Sequence, residues 1–265
     1  MYDFEYVKPA VLEDAVRILS EDDAAKAIAG GMTFIPVLKQ RFSQPSVVVD
    51  LSGLGLSYIR RESDTLVIGA MTPHGVVAAS PIVQQAIASL AYLAGHIGDR
   101  QVRYRGTISG SLANNDPSAC YPSAVLALDA TINTDRREIA ADEYFQGMFT
   151  TALEPGELIT EIRLPVPERA AYVKFPNPAS RYATVGVFVA KTAAGVRVAV
   201  TGAGQDGVFR HRAFEEALEK SFSSSSLDGI ETPVDMMNSD IHAGAAYRAN
   251  LVGVIARRAV DIANA

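Results

Sequence analysis

The chain has 265 residues, 48% of them hydrophobic, with 20 Gly and 13 Pro, enough to bury a substantial core in roughly two or three compact units. A formal net charge of -6 argues against a nucleic-acid partner, and no run approaches the length of a membrane span. The segment Met1-Tyr2-Asp3-Phe4-Glu5 lacks both a basic and an apolar leader region, so the expected location is cytoplasmic.

The lone cysteine, Cys120, excludes an intrachain disulfide, a Cys-ligated iron–sulfur cluster and a Cys-rich zinc site within this chain. His74, His96, His211 and His242 are scattered without i, i+4 spacing, so no metal site is expected here.

From the N-terminus, the apolar run 24–29 reads as a strand that enters the glycine turn Ala29-Gly30-Gly31-Met32-Thr33-Phe34-Ile35-Pro36. Thr33 is placed as an N-cap and Pro36 in a first helical turn. A helix start behind a Gly-Gly turn offers free N–H groups and a positive dipole end, which together favour a phosphate. Residues 47–51, a β-branched run, read as a buried strand, followed by a Ser-Gly-Leu-Gly turn; residues 66–70 form another strand. Thr72-Pro73 and Ser80-Pro81 each open a helix, the second running over 82–93 with Ile82, Val83, Ala86, Leu90 and Leu93 as a core stripe.

Residues 105–117 combine Gly106 and Gly110 with Thr107, Ser109, Ser111, Asn114, Asn115 and Asp116. This composition predicts a segment outside the core whose glycines reach φ > 0 and whose amides and short polar side chains meet a ligand. A polar turn between strands has the same composition, but two such loops together suit a sugar diphosphate, hence a nucleotide cofactor.

Further on, Tyr121-Pro122 opens a helix through Leu128, 131–134 and 158–164 read as strands with an Arg136-Arg137 turn between them, and Pro165-Val166-Pro167-Glu168-Arg169 marks a domain boundary. Strands at 172–175, 185–191 and 196–201 and helices at 212–220 and 243–263 are expected beyond it, with 221–228 as a flexible serine linker. Gly202-Ala203-Gly204-Gln205-Asp206-Gly207 has the form of the Rossmann dinucleotide fingerprint. No helix opens inside these glycines and no βαβ unit precedes them, so a tight loop after an antiparallel strand is expected instead.

Taken in order, Phe4-x-Tyr6-x-x-Pro9, Ala-Gly-Gly-x-Thr-x-Ile-Pro, Arg-Gly-Thr-Ile-x-Gly-Ser-x-Ala-Asn, Glu154-Pro155-Gly156-Glu157-Leu158-Ile159, Tyr182-Ala183-Thr184 and Asp240-x-x-Ala243-x-x-x-Tyr247-Arg248 resemble the FAD-binding medium subunit of molybdenum hydroxylases, the group that includes carbon monoxide dehydrogenase and xanthine dehydrogenase. The resemblance covers nearly the whole chain. It implies an α+β protein, with a two-lobed FAD-binding domain of the vanillyl-alcohol-oxidase (PCMH) type at 1–165, lobes at about 1–55 and 56–165. A C-terminal antiparallel sheet with helices at 168–265 completes it.

The resemblance also implies FAD in the cleft between the lobes, contacted by Ala29, Gly30, Gly31, Met32, Thr33, Phe34 and Ile35 from the first loop. Gly106, Thr107, Ile108, Ser109, Gly110, Ser111, Asn115 and Asp116 join from the second, with Leu158 and, near the isoalloxazine, Lys174 and Tyr182. The glycines would let backbone approach the diphosphate, Thr33 and Thr107 would give hydroxyls, and Asp116 would accept from ribityl or ribose hydroxyls, unless it only forms the turn before Pro117. Lys174 could stabilise an anionic reduced flavin and Tyr182 could cover one flavin face. The [2Fe–2S] clusters and molybdopterin would lie in a small iron–sulfur subunit and a large subunit, assembled as a dimer of heterotrimers. Residues 96–104 and 175–181, including Arg100, Arg103 and Arg181, are the expected contact with those partners. No catalytic acid, base or nucleophile is assigned to this chain.

The sequence departs from the family pattern at Ser109 (commonly Gly), Ser111 (commonly Asn) and Cys120 (often Asp), and Phe175-Pro176-Asn177-Pro178 replaces a more basic stretch. The alternatives are a self-contained flavoenzyme of the same fold, which would need an acid or base facing the flavin, and a cofactor-free scaffold.

Overall fold

The computed structural model describes residues 1–265. The first sheet is small and parallel. Strand β1 (Glu5–Val7), helix α1 (Leu12–Glu21), β2 (Lys26–Ile28), helix α2 (Phe34–Lys39) and β3 (Val47–Asp50) give the order β1-β3-β2, with β3 in the centre. The three valines of β3 suit that central place. Helix α1 presses Ala15 and Leu19 inward and carries Asp14, Arg17 and Glu21 on its outer face at i, i+3 and i+4 spacing. Ala15, Leu19, Ala25, Val49 and Leu51 form a core that also takes in Met71 and Leu158 from the next sheet, so this lobe is anchored to its neighbour.

The second sheet is antiparallel, in the order β4-β5-β10-β6-β7. Its strands are β4 (Ile59–Glu62), β5 (Thr65–Gly69), β6 (Thr131–Thr134), β7 (Glu138–Ala140) and β10 (Ile159–Pro165), with a short β8 (Phe145–Gly147) and β9 (Thr150–Thr151) ribbon at its side. Ile162 of β10 pairs with Ile68 on one side and Ile132 on the other. Helices α3 (His74–Ala79), α4 (Pro81–Ala86), α5 (Ala88–Gly95), α6 (Arg100–Arg105), α7 (Ile108–Asn114), α8 (Tyr121–Ala127) and α9 (Ala141–Tyr144) cover it.

The helix expected over 82–93 is two helices. Ser80 caps α4 through Val83 N–H as its sequence foretells, but Ile87 leaves helical geometry at φ -143°, ψ 77° and turns its side chain into the core, while Ile82 faces outward.

The third sheet holds β11 (Arg169–Pro176), β12 (Ala183–Thr192), β13 (Gly195–Gly204) and β14 (Gly207–Arg210), all antiparallel. Strand β12 is apolar on both faces. Phe188 and Ala190 join the core of the second sheet, whereas Val185, Val187 and Val189 pack towards helices α10 (Arg212–Lys220) and α11 (Ala245–Asn264). The glycines of the Rossmann-like string belong to the hairpin β13–β14, turned by Gln205 and Asp206, with no helix following. Gly202, at φ +79°, leaves no room for a Cβ because the Ala183 carbonyl lies against it.

The serine stretch expected as a flexible linker is anchored instead. A 3-10 turn at Ser224–Leu227 buries Leu227 completely in the C-terminal core, a role that one apolar residue among serines does not announce. Arg248, on α11, is 3% exposed and donates to the carbonyls of Thr184 (2.6 Å) and Gly202 (2.7 Å) and to Asp240 Oδ2 (2.7 Å). Asp240 in turn accepts from the amides of His242 and Ala243. The closing sequence motif is therefore a structural clamp from α11 to the ends of β12 and β13. No helix is long and apolar enough to cross a membrane.

Candidate cofactor-binding cleft

A cavity of about 650 Å³ opens where the first lobe, the helices of the second and the β11–β12 loop meet. That volume is ordinary for a cofactor-sized ligand. Of the expected contacts, Ala29, Gly30, Gly31, Met32, Thr33, Phe34, Gly106, Thr107, Ser109, Gly110, Ser111, Asp116, Leu158 and Tyr182 line it. Ile35, Ile108, Asn115 and Lys174 do not.

The first loop leaves a row of its backbone amides open. None of the backbone N–H groups of Gly30, Gly31, Met32, Thr33 or Phe34 finds an acceptor within the chain. Consecutive amides left open beside a cavity call for an external acceptor, and a row of them forms a concave nest for negative oxygen. Gly31 adopts φ +74°, which turns the chain without the steric cost a Cβ carries. Thr33 precedes α2 but does not cap it. Its backbone is helical (φ -95°, ψ -47°) and its hydroxyl makes no cap bond, which leaves that hydroxyl available to a ligand. Ile35 turns away from the cavity and packs at the turn beside Gly31 and Ile28.

The second segment is a helix rather than an open loop. Helix α6 ends at Gly106, Thr107 caps α7 by accepting from Gly110 N–H at 3.1 Å, and Ile108 and Leu112 are fully buried. Neither Gly106 (φ -61°) nor Gly110 has positive φ. They are needed for close packing: a Cβ on Gly106 would sit 2.6 Å from His74 Nε2, and one on Gly110 would sit 2.9 Å from Thr107 Oγ1.

The first amides of α7 are already taken, Ile108 by Thr72 O, Ser109 by Ala70 O and Ser111 by Thr107 O. This element therefore contributes side chains: Ser109, Ser111 and Asn114 face the cavity. The Asn pair reverses expectation. Asn115 closes α7 at φ +42° and donates from Nδ2 to Gly147 O and Thr150 O, both at 2.8 Å, which holds the β8–β9 ribbon and leaves the ligand side to Asn114.

Asp116 forms the local turn and also borders the cavity. Oδ1 accepts from Ser118 N–H at 2.8 Å, and burial raises the pKa of the carboxyl. Tyr182 stands nearby, its phenol pushed up by burial and then by Asp116 and Cys120. Lys174 lies behind this wall. Nζ donates to His96 O (2.6 Å) and Arg181 O (2.9 Å) and approaches Cys120 Sγ at 3.6 Å, so it ties the β11–β12 loop to the end of α5.

Asn177 braces the same loop. Its Oδ1 accepts from the amides of Ala179 and Ser180, which shapes the turn between β11 and β12. Arg103 donates to Ile97 O and Gly98 O, both at 3.0 Å, and Arg181 donates to Gly98 O at 3.4 Å. Both therefore tie the loop cluster together.

At the other end, Leu158 and the buried Glu157 border the cleft. Burial alone would raise the Glu157 pKa, but Arg137 Nε at 3.0 Å, Glu154 N–H at 2.7 Å and Thr134 Oγ1 at 2.8 Å together hold it near 2, below its ordinary 4.5. A depressed carboxylate stabilises the fold above pH 4.5 and loses that contribution as pH falls through 2. The shift corresponds to roughly 3 kcal/mol. Urea unfolding of the wild type and Glu157→Gln across pH 2 to 7 is expected to show a stability gap of that order at neutrality that closes at the acid end. A gap independent of pH would disprove it.

One lining group carries no signal in the sequence: His74 reaches the cavity through packing that no local pattern announces. Asn114, Cys120, Glu157 and Arg181 also line it, each inside or beside a segment that the sequence singles out. No three His, Cys, Asp or Glu side chains converge to hold a metal ion.

Comparison with known proteins agrees with this geometry. Residues 2–167 match the family described as the FAD binding domain in molybdopterin dehydrogenase. The carbon monoxide dehydrogenase medium chain of Afipia carboxidovorans is 34% identical over 99% of this chain and 97% of its own. The nicotine 6-hydroxylase medium subunit of Paenarthrobacter nicotinovorans is likewise 34% identical, over 98% and 97%. Among solved structures, carbon monoxide dehydrogenase from Hydrogenophaga pseudoflava, in a form lacking the Mo-pyranopterin moiety, superposes with a TM-score of 0.89 at 33% identity, covering 99% of this chain and 97% of that one. This chain belongs to the FAD-binding flavoprotein family of the molybdopterin dehydrogenases, the oxidoreductase subunits that carry FAD.

Proposed function

We propose that this chain is the FAD-carrying medium subunit of a molybdenum hydroxylase complex. Electrons would reach its flavin from [2Fe–2S] clusters of a small subunit, after a large molybdopterin subunit has oxidised the organic substrate, and would leave to an external acceptor. The three chains would assemble as a dimer of heterotrimers in the cytoplasm. The observation that carries the reading is the row of open amides from Gly30 to Phe34 at the edge of a cleft large enough for a dinucleotide.

In this reading those amides and the Thr33 hydroxyl hold the diphosphate, beside Gly106, Thr107 and Gly110. Ser109, Ser111, Asn114 and Asp116 take ribityl and ribose hydroxyls. Tyr182 covers a face of the ring system and Leu158 gives it an apolar wall. Lys174, held on two carbonyls, positions the loop that bears Tyr182. Residues 1–165 act as the FAD-binding domain and 168–265 as a C-terminal domain that closes the cleft. When bound, the flavin collects electrons singly and passes them on in pairs or singly.

Relatives named for carbon monoxide and for nicotine are equally similar to this chain. The similarity therefore singles out no substrate. Purification of the untagged protein from its native source tests the reading: FAD, iron, molybdenum and two further chains are expected to copurify. Recovery of an active flavoprotein with this chain alone, free of iron and molybdenum, would overturn it.

A further inference from the structure

We propose that His74 is a neutral hydrogen-bond donor to the diphosphate of FAD, acting through Nε2. The proposal rests on the FAD reading above and adds a residue that neither loop motif contains.

His74 opens helix α3 and is wired to the second segment. Its amide donates to Gly106 O at 2.9 Å, and Pro73 bridges to Thr107. The imidazole is 5% exposed, lies 5.3 Å from the Tyr121 ring and abuts Gly106, where the missing Cβ leaves the space that Nε2 occupies. Nδ1 is enclosed with no partner at all. Nε2 has no partner within the chain either, but it is not sealed, and the residue lines the cavity.

Two physical arguments fix the state of the ring. Burial and then the Arg103 cation lower its pKa to about 4, so it is uncharged at neutral pH. A neutral imidazole carries one proton, and a buried N–H without an acceptor is rarer in proteins than a bare lone pair. The proton therefore belongs on Nε2, and the enclosed Nδ1 keeps the lone pair. The result is one N–H at the cavity wall that needs an acceptor.

The neighbours identify that acceptor. The ring touches Gly106, and Gly106 touches Gly30, whose added Cβ would lie 2.8 Å from Gly106 Cα. Gly30 begins the row of open amides. The imidazole and the amides thus border one region of the cleft, where an anionic oxygen would satisfy both. The hydroxyl-rich face at Ser109, Ser111 and Asn114 and the aromatic wall at Tyr182 suit the rest of the cofactor.

The test compares wild type, His74→Leu and His74→Gln as full-length protein. The readouts are thermal unfolding, FAD and ADP dissociation constants, and the visible spectrum of the bound flavin. His74→Leu is expected to weaken FAD and ADP alike, by roughly 10- to 100-fold, with an unchanged flavin spectrum. His74→Gln, whose side-chain amide can donate, is expected to recover most of the loss.

A folded His74→Leu protein with unchanged affinity for both ligands overturns the proposal. So does weakened FAD binding with unchanged ADP binding and a shifted flavin spectrum, which would move the donor to the ring system. Should the leucine variant fail to fold, imidazole nitrogen NMR of the wild type decides: an Nε2-protonated ring whose N–H becomes protected from exchange on adding ADP supports the proposal, and an Nδ1-protonated ring overturns it. Failure of the wild type to bind FAD at all would instead overturn the parent reading together with this one.

Discussion

Replacing Gly30 with alanine is expected to give a folded chain that holds no FAD. The added Cβ would overlap the Arg105 carbonyl oxygen and lie 2.7 Å from the Arg105 carbonyl carbon and 2.8 Å from Gly106 Cα. All three atoms are backbone, so no side-chain rotation relieves them and the first loop must move away from the α6–α7 junction. Overpacking of this kind costs about 1–3 kcal/mol or more, and here the strain falls on the two segments that flank the diphosphate region. The 32-residue core of the second lobe and the 19-residue C-terminal core do not include this contact, so folding should survive.

Milder neighbours give the contrast. Gly31→Val places its Cβ 2.7 Å from Ile35 Cδ1, the far end of a flexible side chain, and its main penalty is φ +74°, roughly 1–2 kcal/mol. Gly110→Val crowds the Thr107 cap and costs on the order of 1 kcal/mol. Titration with FAD should therefore rank Gly30→Ala as the most damaging, by about 100-fold or more. Stoichiometric FAD in purified Gly30→Ala would remove the first loop from the site.

Much of this contact was hidden from the sequence, and the reason is distance along the chain. Gly30-Gly31 is a legible turn signal because glycine pairs punctuate local structure, and the β-branched run of β3 and the Ser80-Pro81 helix start are legible for the same local reason. That Gly30 rests on Arg105 is decided by how two lobes pack, and that His74 lies under Gly106 by packing within the second lobe.

Local reading also fails where composition and conformation diverge. Residues 105–117 have the small polar residues of a loop, yet the i, i+4 pair Ile108 and Leu112 makes them a core helix with its amides already engaged. The resemblance placed Lys174 near the isoalloxazine. The structure commits its ammonium to two carbonyls, so its charge acts from behind Cys120.

The FAD-loaded chain by itself is expected to remain oxidised in the presence of any organic substrate, while dithionite reduces it fully. Oxidation of a C–H bond at a flavin needs a group poised to take the proton. The ionisable groups lining this cleft are otherwise engaged. Glu157 is locked to Arg137, Asp116 holds Ser118 N–H, Lys26 donates to Asp23 O, Arg181 donates to Gly98 O and His74 is neutral and buried. What remains is the Cys120 thiol, whose charged neighbour at 3.6 Å is the Lys174 ammonium, and the Tyr182 phenol, whose pKa is raised by burial and by the nearby Asp116 carboxyl.

On the proposed reading electrons enter from a partner chain, and exposed aromatic residues on α6 and nearby elements are the candidates for its contact. Tyr104 is 78% exposed, Tyr92 lies tilted over His96 at 4.0 Å, and Phe175 meets Tyr247 edge-on, with Tyr92, Tyr104, Phe175 and Tyr247 all open to solvent. Large exposed aromatics near a redox site are the groups that anchor interfaces. Because Arg103 and Arg181 hold the loops, reversing them would disturb the site itself. Tyr104→Glu is the cleaner probe: in the reconstituted complex it should weaken subunit association and slow substrate-driven flavin reduction while FAD stays bound. Rapid flavin reduction by an organic substrate in the isolated chain, with no iron or molybdenum present, would overturn the subunit reading in favour of a self-contained flavoenzyme.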